Sequence, residues 1–246
     1  MFLVGIIIGF IGAGGAGVTV SLLTIAFGLP IHQAVGTALA AMLFTTLSGS
    51  ISHFREGNVA IAPGVIIGGA GMTGAVLGAN LSQDVPEHIL QPMAGFALWF
   101  LALLVWLRIR MRNRLHEISE DAAREPLTRP QIAGGAGVGI LGGMASAFFG
   151  VGMAPFVQIG MLTVMRLSLI KSVGTTMLAL TFISLSGSLA LARHGDVSFV
   201  HLIGVMIGMT AGSYVGAKFT RRAPQGLLRT AIVATPFLGG IPLIFF

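Results

Sequence analysis

Two glycine-rich segments supply the backbone groups of this sequence that could bind an anion. The first elbow, residues 12–17, reads Gly-Ala-Gly-Gly-Ala-Gly, and the second elbow, residues 150–155, reads Gly-Val-Gly-Met-Ala-Pro. Each interrupts an apolar run, because glycine is a poor helix former. Unwound backbone at membrane depth is tolerated only where protein buries it or where it lines a watery cavity. A helix that restarts after such an elbow begins with unpaired N–H groups, which attract anions.

Hydroxyl side chains follow each elbow in the next predicted helix. Thr37 comes early in the helix after the first elbow and Ser48 comes later, while Thr175-Thr176 and Ser186 occupy the corresponding helix after the second. The alternative interpretation is that these hydroxyls bond to carbonyls of their own helix. No Asp, Glu, Lys or Arg lies deep within a predicted span, whereas carriers of cations and protons usually place charges there. We therefore predict a small-anion site made of Gly14, Gly15, Gly36, Thr37, Ser48, Gly152, Gly174, Thr175 and Ser186.

The elbows belong to an internal duplication with an offset of 138 residues (150 − 12). Two glycine-broken membrane repeats of this kind point to the binding site of a transporter. The predicted units are repeat 1 (residues 1–107), a linker (108–131) and repeat 2 (132–246). Among the matches, Val35-Gly36-Thr37 corresponds to Val173-Gly174-Thr175, Ser48-Gly49-Ser50 to Ser186-Gly187-Ser188, and Arg55, Gly57 and Val59 to Arg193, Gly195 and Val197.

Composition places these units in a membrane. Hydrophobic residues make up 54% of the 246 residues and charged residues only 9%, against about 25% charged in soluble domains. We predict an all-α, polytopic integral membrane protein of two inverted repeats, each with a glycine-broken hairpin and three transmembrane helices. No removable signal peptide is expected. The predicted helical segments are 2–11, 18–27, 31–52, 59–81 and 87–107, then 132–149, 156–165, 172–192, 197–217 and 227–246.

Basic residues set the predicted orientation, because lysine and arginine concentrate on the cytoplasmic side. The linker is rich in arginine, so we expect it to be cytoplasmic, in a multi-pass protein of the cell membrane. The loop at Asp84 has no lysine or arginine and is expected outside, while its equivalent at Arg221 is expected inside. Equivalent loops on opposite faces define an inverted repeat.

The turns at His53, Arg55, Arg193 and His194 occupy corresponding places in the two repeats. They could form an anion-attracting mouth or a pH-sensitive gate, since histidine titrates near neutrality. Alternatively, they are interfacial residues that extend towards lipid head groups. His32 and His201 are expected to be hydrogen-bonded packing residues.

Other functions lack the necessary residues. The chain has no cysteine, and no carboxylate pair, His/Asp cluster or Walker sequence is present. We predict neither an enzyme nor a metal or cofactor site. Basic residues cluster at helix ends, so nucleic acid is not an expected partner. The expected partners are a small anion and lipid. The glycine-rich face from Gly68 to Gly78 favours close helix packing, sliding contacts or a homodimer.

Three motifs in this order resemble the sulfite exporter TauE/SafE family over nearly the whole chain. They are G-F-I-G-A-G-G-A-G, G-L-P-I-H-Q-A-V-G-T-A-L and S-G-S-I-S-H-F-R-E-G-N-V. The family consists of small membrane transporters assigned to sulfite, sulfoacetate and other small anions. The resemblance implies site roles for Gly12, Gly14, Gly15, Gly36, Thr37, His53, Arg55, Gly57 and Asn58. This sequence departs from the family in its short first arm and in Ala16, where glycine is common.

The resulting hypothesis is a secondary transporter of sulfite or a related sulfur-containing or organosulfonate anion. It would work by alternating access at a central site between the elbows. The alternative is an anion channel whose pore is lined by the same elbows. A non-transporting membrane subunit is a further alternative, although such a subunit would not need unwound backbone at depth.

Overall fold

The computed structural model describes residues 16–115, 127–220 and 225–245, where regular secondary structure is entirely α-helical. Within these ranges, five helices are long and apolar enough to cross a membrane. The predicted all-α, polytopic fold class is thereby confirmed. The helices are α1 (Ala16–Ile25), α2 (Ile31–Arg55), α3 (Ile61–Gln83), α4 (Glu87–Leu115), α5 (Arg129–Phe149), α6 (Ala154–Thr163), α7 (Leu169–Arg193), α8 (Phe199–Thr220) and α9 (Gln225–Phe245).

Helix boundaries differ from the predicted spans mainly at their polar ends. α2 continues to Arg55, and α4 continues to Leu115 within the predicted linker. α5 begins at Arg129, where the Thr128 N–H donates to Gln131 Oε1 at 2.9 Å. Leucine, methionine and arginine are good helix formers, so a helix need not end where its apolar stretch ends. The predicted arm 2–11 lies outside the described residues.

α2 and α7 end in the same way. Gly57 and Gly195 follow these helices with φ values of 72° and 83°, a left-handed conformation that glycine adopts without steric cost. The next amide returns to a helix carbonyl, as in a Schellman motif. These hydrogen bonds join Asn58 N to His53 O (2.9 Å) and Asp196 N to Leu191 O (3.1 Å).

Equivalent helices α2 and α7 form an antiparallel pair at the centre of the fold. A Cβ added at Gly36 would overlap the Asp196 carbonyl, and one added at Gly174 would overlap the Asn58 carbonyl. The start of each helix therefore packs on the turn that follows the other. This exchange supports the inverted-repeat arrangement, whose orientation in a bilayer stays a prediction. The same symmetry relates two contacts farther along the helices, Gly49 on Met177 and Gly187 on Leu39.

A second antiparallel pair joins α4 to its equivalent, α9. Trp99 and Phe237 are separated by the repeat offset (237 − 99 = 138) and stack with ring centroids 5.3 Å apart at 17°. Trp99 Nε1 also donates to the Phe237 carbonyl at 3.1 Å. A Cβ at Gly240 would lie 2.7 Å from the Gly95 carbonyl, so glycine permits this close approach.

α3 and α5 pack backbone against backbone. A Cβ at Gly74 would overlap the Ile140 carbonyl, and one at Gly78 would overlap the Met144 carbonyl. The close packing predicted for the glycine-rich face from Gly68 to Gly78 is confirmed at these two positions, and its partner lies in the same chain. α5, which leads into the second elbow, is thus fixed against repeat 1. On the α5 side the corresponding contacts are Gly139 on the Ile67 carbonyl and Gly143 on the Gly71 carbonyl.

Candidate anion site at the second elbow

The second elbow is a buried turn that reverses the chain between α5 and α6. Gly150 and Gly152 have φ values of 67° and 61°, where a residue with a Cβ would be strained by about 1–2 kcal/mol. A Cβ at Gly150 would also lie 2.9 Å from the Cα of Val35 in α2. Val151 and Met153 are buried. The unwound backbone is therefore covered by protein, which is one of the two settings in which such backbone is tolerated within a membrane.

The first elbow meets the second at Gly17. A Cβ at Gly17 would lie 3.0 Å from Val151 Cγ1 and would overlap the side chain of Leu98. The two elbow regions are therefore in contact across the repeats. Gly14 and Gly15, which were predicted to bind substrate, lie outside the described residues.

α6 has an uncapped amino terminus at the second elbow. Met153, its N-cap residue, makes no side-chain capping hydrogen bond. The Ala154 N–H donates to the Gly152 carbonyl at 2.6 Å, whereas the Phe156 N–H has no backbone acceptor in the described part of the chain. Pro155 has no N–H. Since a helix amino terminus carries roughly half a positive charge, this end of α6 can attract an anion.

Ser146 lies on the face of α5 that packs against α6. A Cβ at Gly142, one turn earlier on that face, would lie 2.9 Å from Val157 Cγ2. α5 and α6 are antiparallel, so one further turn along α5 brings Ser146 level with Met153. Ser146 is 0% exposed, and its Oγ has no hydrogen-bond partner among the described residues.

α7 contributes a second buried hydroxyl without a partner among the described residues, Thr176, and contacts α6 through Ser172. Gln158 Nε2, in α6, donates to Ser172 Oγ at 3.2 Å, and both side chains are buried. Gly150 of the second elbow packs on Val35 near the start of α2, whereas Gly174 packs on His53 near the end of α2. Thr176 therefore lies towards the opposite end of the α2–α7 pair from the elbow. Thr176 is 2% exposed. Its Oγ1 likewise has no hydrogen-bond partner within the ranges that the structure describes.

The Gly36-Thr37 and Gly174-Thr175 pairs secure the contact between the repeats. Thr37 Oγ1 accepts the Ser198 N–H at 3.0 Å, and Thr175 Oγ1 accepts the Ala60 N–H at 2.9 Å. Ala60 and Ser198 immediately precede α3 and α8, so each threonine caps a helix of the opposite repeat. We call these two contacts the Gly-Thr clasps. They give the four residues a structural role, and their predicted contact with substrate stays a prediction.

The two predicted serines lie in different environments. Ser48 is exposed on α2. Ser186 is buried and donates to the Met72 carbonyl of α3 at 3.3 Å and to the Ile183 carbonyl of its own helix at 3.2 Å. The second bond is of the local kind weighed as the alternative for these hydroxyls. The structure thus places Gly152 in the elbow near Ser146, while Ser48 faces the surface.

The predicted gating residues occupy opposite ends of the antiparallel α2–α7 pair. Arg55 lies at one end and Arg193 at the other, and both are exposed. A pair of gates, one at each end, would need this placement, but gating itself stays a prediction. The polar contacts at these turns are His53 Nδ1 to Glu56 Oε2 (3.7 Å), Asn58 Nδ2 to Glu56 Oε2 (3.1 Å) and His194 Nε2 to Asn80 Oδ1 (3.1 Å).

The two remaining histidines considered from the sequence have packing roles. His32 Nε2 lies 2.9 Å from the Ser82 carbonyl, and His201 Nδ1 lies 2.8 Å from Ser198 Oγ. The prediction that both are hydrogen-bonded is confirmed. Within the described ranges, no cluster of three or more histidine and acidic side chains could hold a metal ion.

Sequence reasoning missed Ser146 and Gln158 as residues of this site. A comparison of the two repeats would have pointed to these residues, because some positions of repeat 2 are polar where the equivalent positions of repeat 1 are apolar. These positions are Ser146, Gln158, Ser172 and Thr176, which correspond to Ile8, Val20, Ala34 and Ala38.

Comparison with known proteins gives a family and several relatives. The profile of the family described as sulfite exporter TauE/SafE matches residues 1–243. The probable membrane transporter protein YdhB of Bacillus subtilis (strain 168) is 42% identical over 245 residues, which cover 100% of this chain and 98% of that protein. A probable membrane transporter protein of Xylella fastidiosa (strain Temecula1 / ATCC 700964) is 27% identical over 221 residues, covering 89% and 82%. No solved structure matches the chain significantly.

Proposed function

Because the chain belongs to the sulfite exporter TauE/SafE family, as its motifs predicted, we propose that it is a secondary transporter of a small anion. The family and the names of the relatives indicate a membrane transporter rather than an enzyme. The proposed substrate is sulfite or a related sulfur-containing or organosulfonate anion. It would bind between the two elbows and cross by alternating access.

The observation that carries this proposal is the uncapped amino terminus of α6, which directly follows the buried residues of the second elbow. Its open N–H and its dipole favour negative charge in surroundings that screen charge weakly. Within the described helices, Glu87 is the only carboxylate, and it is the first residue of α4. A cation carrier would be expected to place carboxylates at membrane depth. The contact of Gly17 with Val151 supports a site shared by both repeats.

Membrane placement and orientation are part of the same proposal. We place the protein in the cell membrane with residues 108–131 in the cytoplasm and the repeats inverted. The chain has no cysteine, so single cysteines can report the exposure of each loop. Asp84→Cys should react with an impermeant thiol reagent from outside, and Ala223→Cys only after the membrane is opened. Labelling of both from the same side would contradict the inverted repeat.

Ligand-dependent thermal stabilisation of the purified protein tests the substrate class. Sulfite, thiosulfate, sulfate, sulfoacetate, taurine and chloride would be compared with cations and neutral solutes. A ligand at about a hundred times its Kd should stabilise the protein by roughly 2.7 kcal/mol. We expect a shift with at least one sulfur-containing anion. A shift only with a cation or a neutral solute would contradict the proposal.

A further inference from the structure

We infer that one exposed face of α2 lines the aqueous path along which the transported anion reaches the interior of the protein. This face consists of Thr45, Ser48 and Ser52 and ends at Arg55, and we call it the hydroxyl stripe. The inference rests on the proposed function, and it names the residues that the anion passes between its entrance and the interior.

The second half of α2 exposes two different surfaces. Residues 45, 48, 52 and 55 are three or four positions apart, so they lie on one face of the helix, and all four are exposed. The adjoining stripe is also exposed but entirely apolar, as a surface in contact with lipid should be. It consists of Phe44, Leu47, Ile51 and Phe54. The exposed half of α2 is thus divided into a surface suited to lipid and a surface suited to water.

The equivalent face of α7 is covered. In repeat 2 the same positions are occupied by Ile183, Ser186 and Ala190, and these side chains are at most 7% exposed. α3 lies over this face, since Ser186 Oγ donates to the Met72 carbonyl at 3.3 Å and a Cβ added at Gly71 would overlap Ile183. One of two equivalent faces is therefore closed by a helix of the opposite repeat, while the other is open. Alternating access through inverted repeats calls for one open and one closed side.

Basic residues lie at the end of the hydroxyl stripe. Arg55 is exposed at the last position of α2. α7 begins at the same end of the fold, because Gly174 packs on His53, and its first turn carries Lys171. A positively charged entrance attracts small anions and raises their local concentration.

The acidic residues are distributed in the opposite way. Within the described ranges, Glu56 is the carboxylate at the Arg55 end. The start of α2 is the acidic end, since Gly36 packs on Asp196 and His32 Nδ1 lies 3.7 Å from Glu87 Oε1. The hydroxyl stripe therefore opens at the end of the fold that favours an anion.

Labelling of single cysteines with an impermeant maleimide tests the inference, because the chain has no cysteine of its own. A thiol reacts as its thiolate, which an apolar environment disfavours, so labelling reports contact with water. Ser48→Cys and Ser52→Cys should be labelled in sealed vesicles from the same side as Arg55→Cys. Leu47→Cys and Ile51→Cys are matched controls on the apolar stripe, next to the tested positions, and should stay unlabelled. Sulfoacetate should slow labelling at positions 48 and 52, because the anion occupies the same path.

The outcomes separate this inference from the proposed function. Absence of labelling at positions 48 and 52, or equal labelling of the control positions 47 and 51, would overturn the inference. Labelling that saturating sulfoacetate leaves unchanged would also overturn it, because the anion would then not use the hydrated face. In each of these cases the proposed function stands if sulfoacetate still stabilises the wild type against heat. If no anion stabilises the wild type, the proposed function fails and this inference falls with it.

Discussion

Replacing Thr37 with valine should destabilise the protein although the side chain keeps its size. Thr37 is 0% exposed, and its Oγ1 accepts the Ser198 N–H at 3.0 Å. Valine leaves that buried N–H without an acceptor, which costs about 1–3 kcal/mol. Thr175→Val should cost a similar amount, because Thr175 is equally buried and its Oγ1 accepts the Ala60 N–H at 2.9 Å.

The double variant tests whether the two Gly-Thr clasps are independent. Thr37 is near the start of α2 and Arg55 is its last residue, so 18 residues (55 − 37) separate the two ends. At about 1.5 Å per residue, the clasps are roughly 27 Å apart. Contributions from such distant sites add to within about 0.5 kcal/mol. The double variant should therefore lose roughly 2–6 kcal/mol.

Thermal unfolding in detergent without ligand, followed by the fluorescence of Trp99 and Trp106, measures this effect. Thr181→Val is the control, because Thr181 Oγ1 donates to the Met177 carbonyl of its own helix at 2.8 Å. Removing that local bond should change stability by less than about 0.5 kcal/mol. If both clasp variants were as stable as this control, the structural role of the clasps would be refuted. Variants that kept their stability but lost the response to an anion would support the substrate role predicted from the sequence.

Two further predictions concern helix packing. Gly74→Ala should lower the melting temperature, with a cost of about 1–3 kcal/mol from overpacking, because a Cβ there would overlap the Ile140 carbonyl. Gly69→Ala should be neutral or stabilising in the same assay, since nothing lies within 4 Å of a Cβ at Gly69; equal losses would contradict the packing of α3 on α5. Trp99→Leu and Phe237→Leu should couple in a double-mutant cycle by about 0.5–1.5 kcal/mol, the energy of an aromatic pair beyond its buried area. Strictly additive effects of these two substitutions would exclude the stack.

Much of the fold could be predicted because glycine residues and the internal duplication can be recognised directly in the sequence. The offset of 138 residues aligns the first elbow with the second from the sequence alone. It also aligns the turn at Gly57 with the turn at Gly195. The close packing of Gly74 and Gly78 also followed from their spacing, because small residues four apart lie on one helix face.

The Gly-Thr clasps could not be predicted, because their partners are far apart in the chain. Thr37 bonds a residue 161 positions away, and Thr175 one that is 115 positions away. Only the antiparallel packing of α2 and α7 brings these groups together. A threonine that binds substrate and one that caps a distant helix look the same in sequence.

Burial was equally hard to predict. In a membrane helix the lipid-facing side is as apolar as the packed side, so hydrophobic periodicity gives little indication of which face is inside. Ser48 was therefore placed in the site although it is exposed, and Ser146 was overlooked although it is fully buried. That Ser146 lacks a partner becomes visible only when its neighbours are known.

Counterflow of labelled sulfite in proteoliposomes tests the central claim most directly. Vesicles preloaded with unlabelled sulfite and diluted into a trace of labelled sulfite would be followed over time, with protein-free vesicles as the control. A carrier with alternating access should accumulate label transiently above equilibrium. Uptake that rises only to equilibrium, together with a conductance that does not saturate, would contradict the carrier and favour a channel.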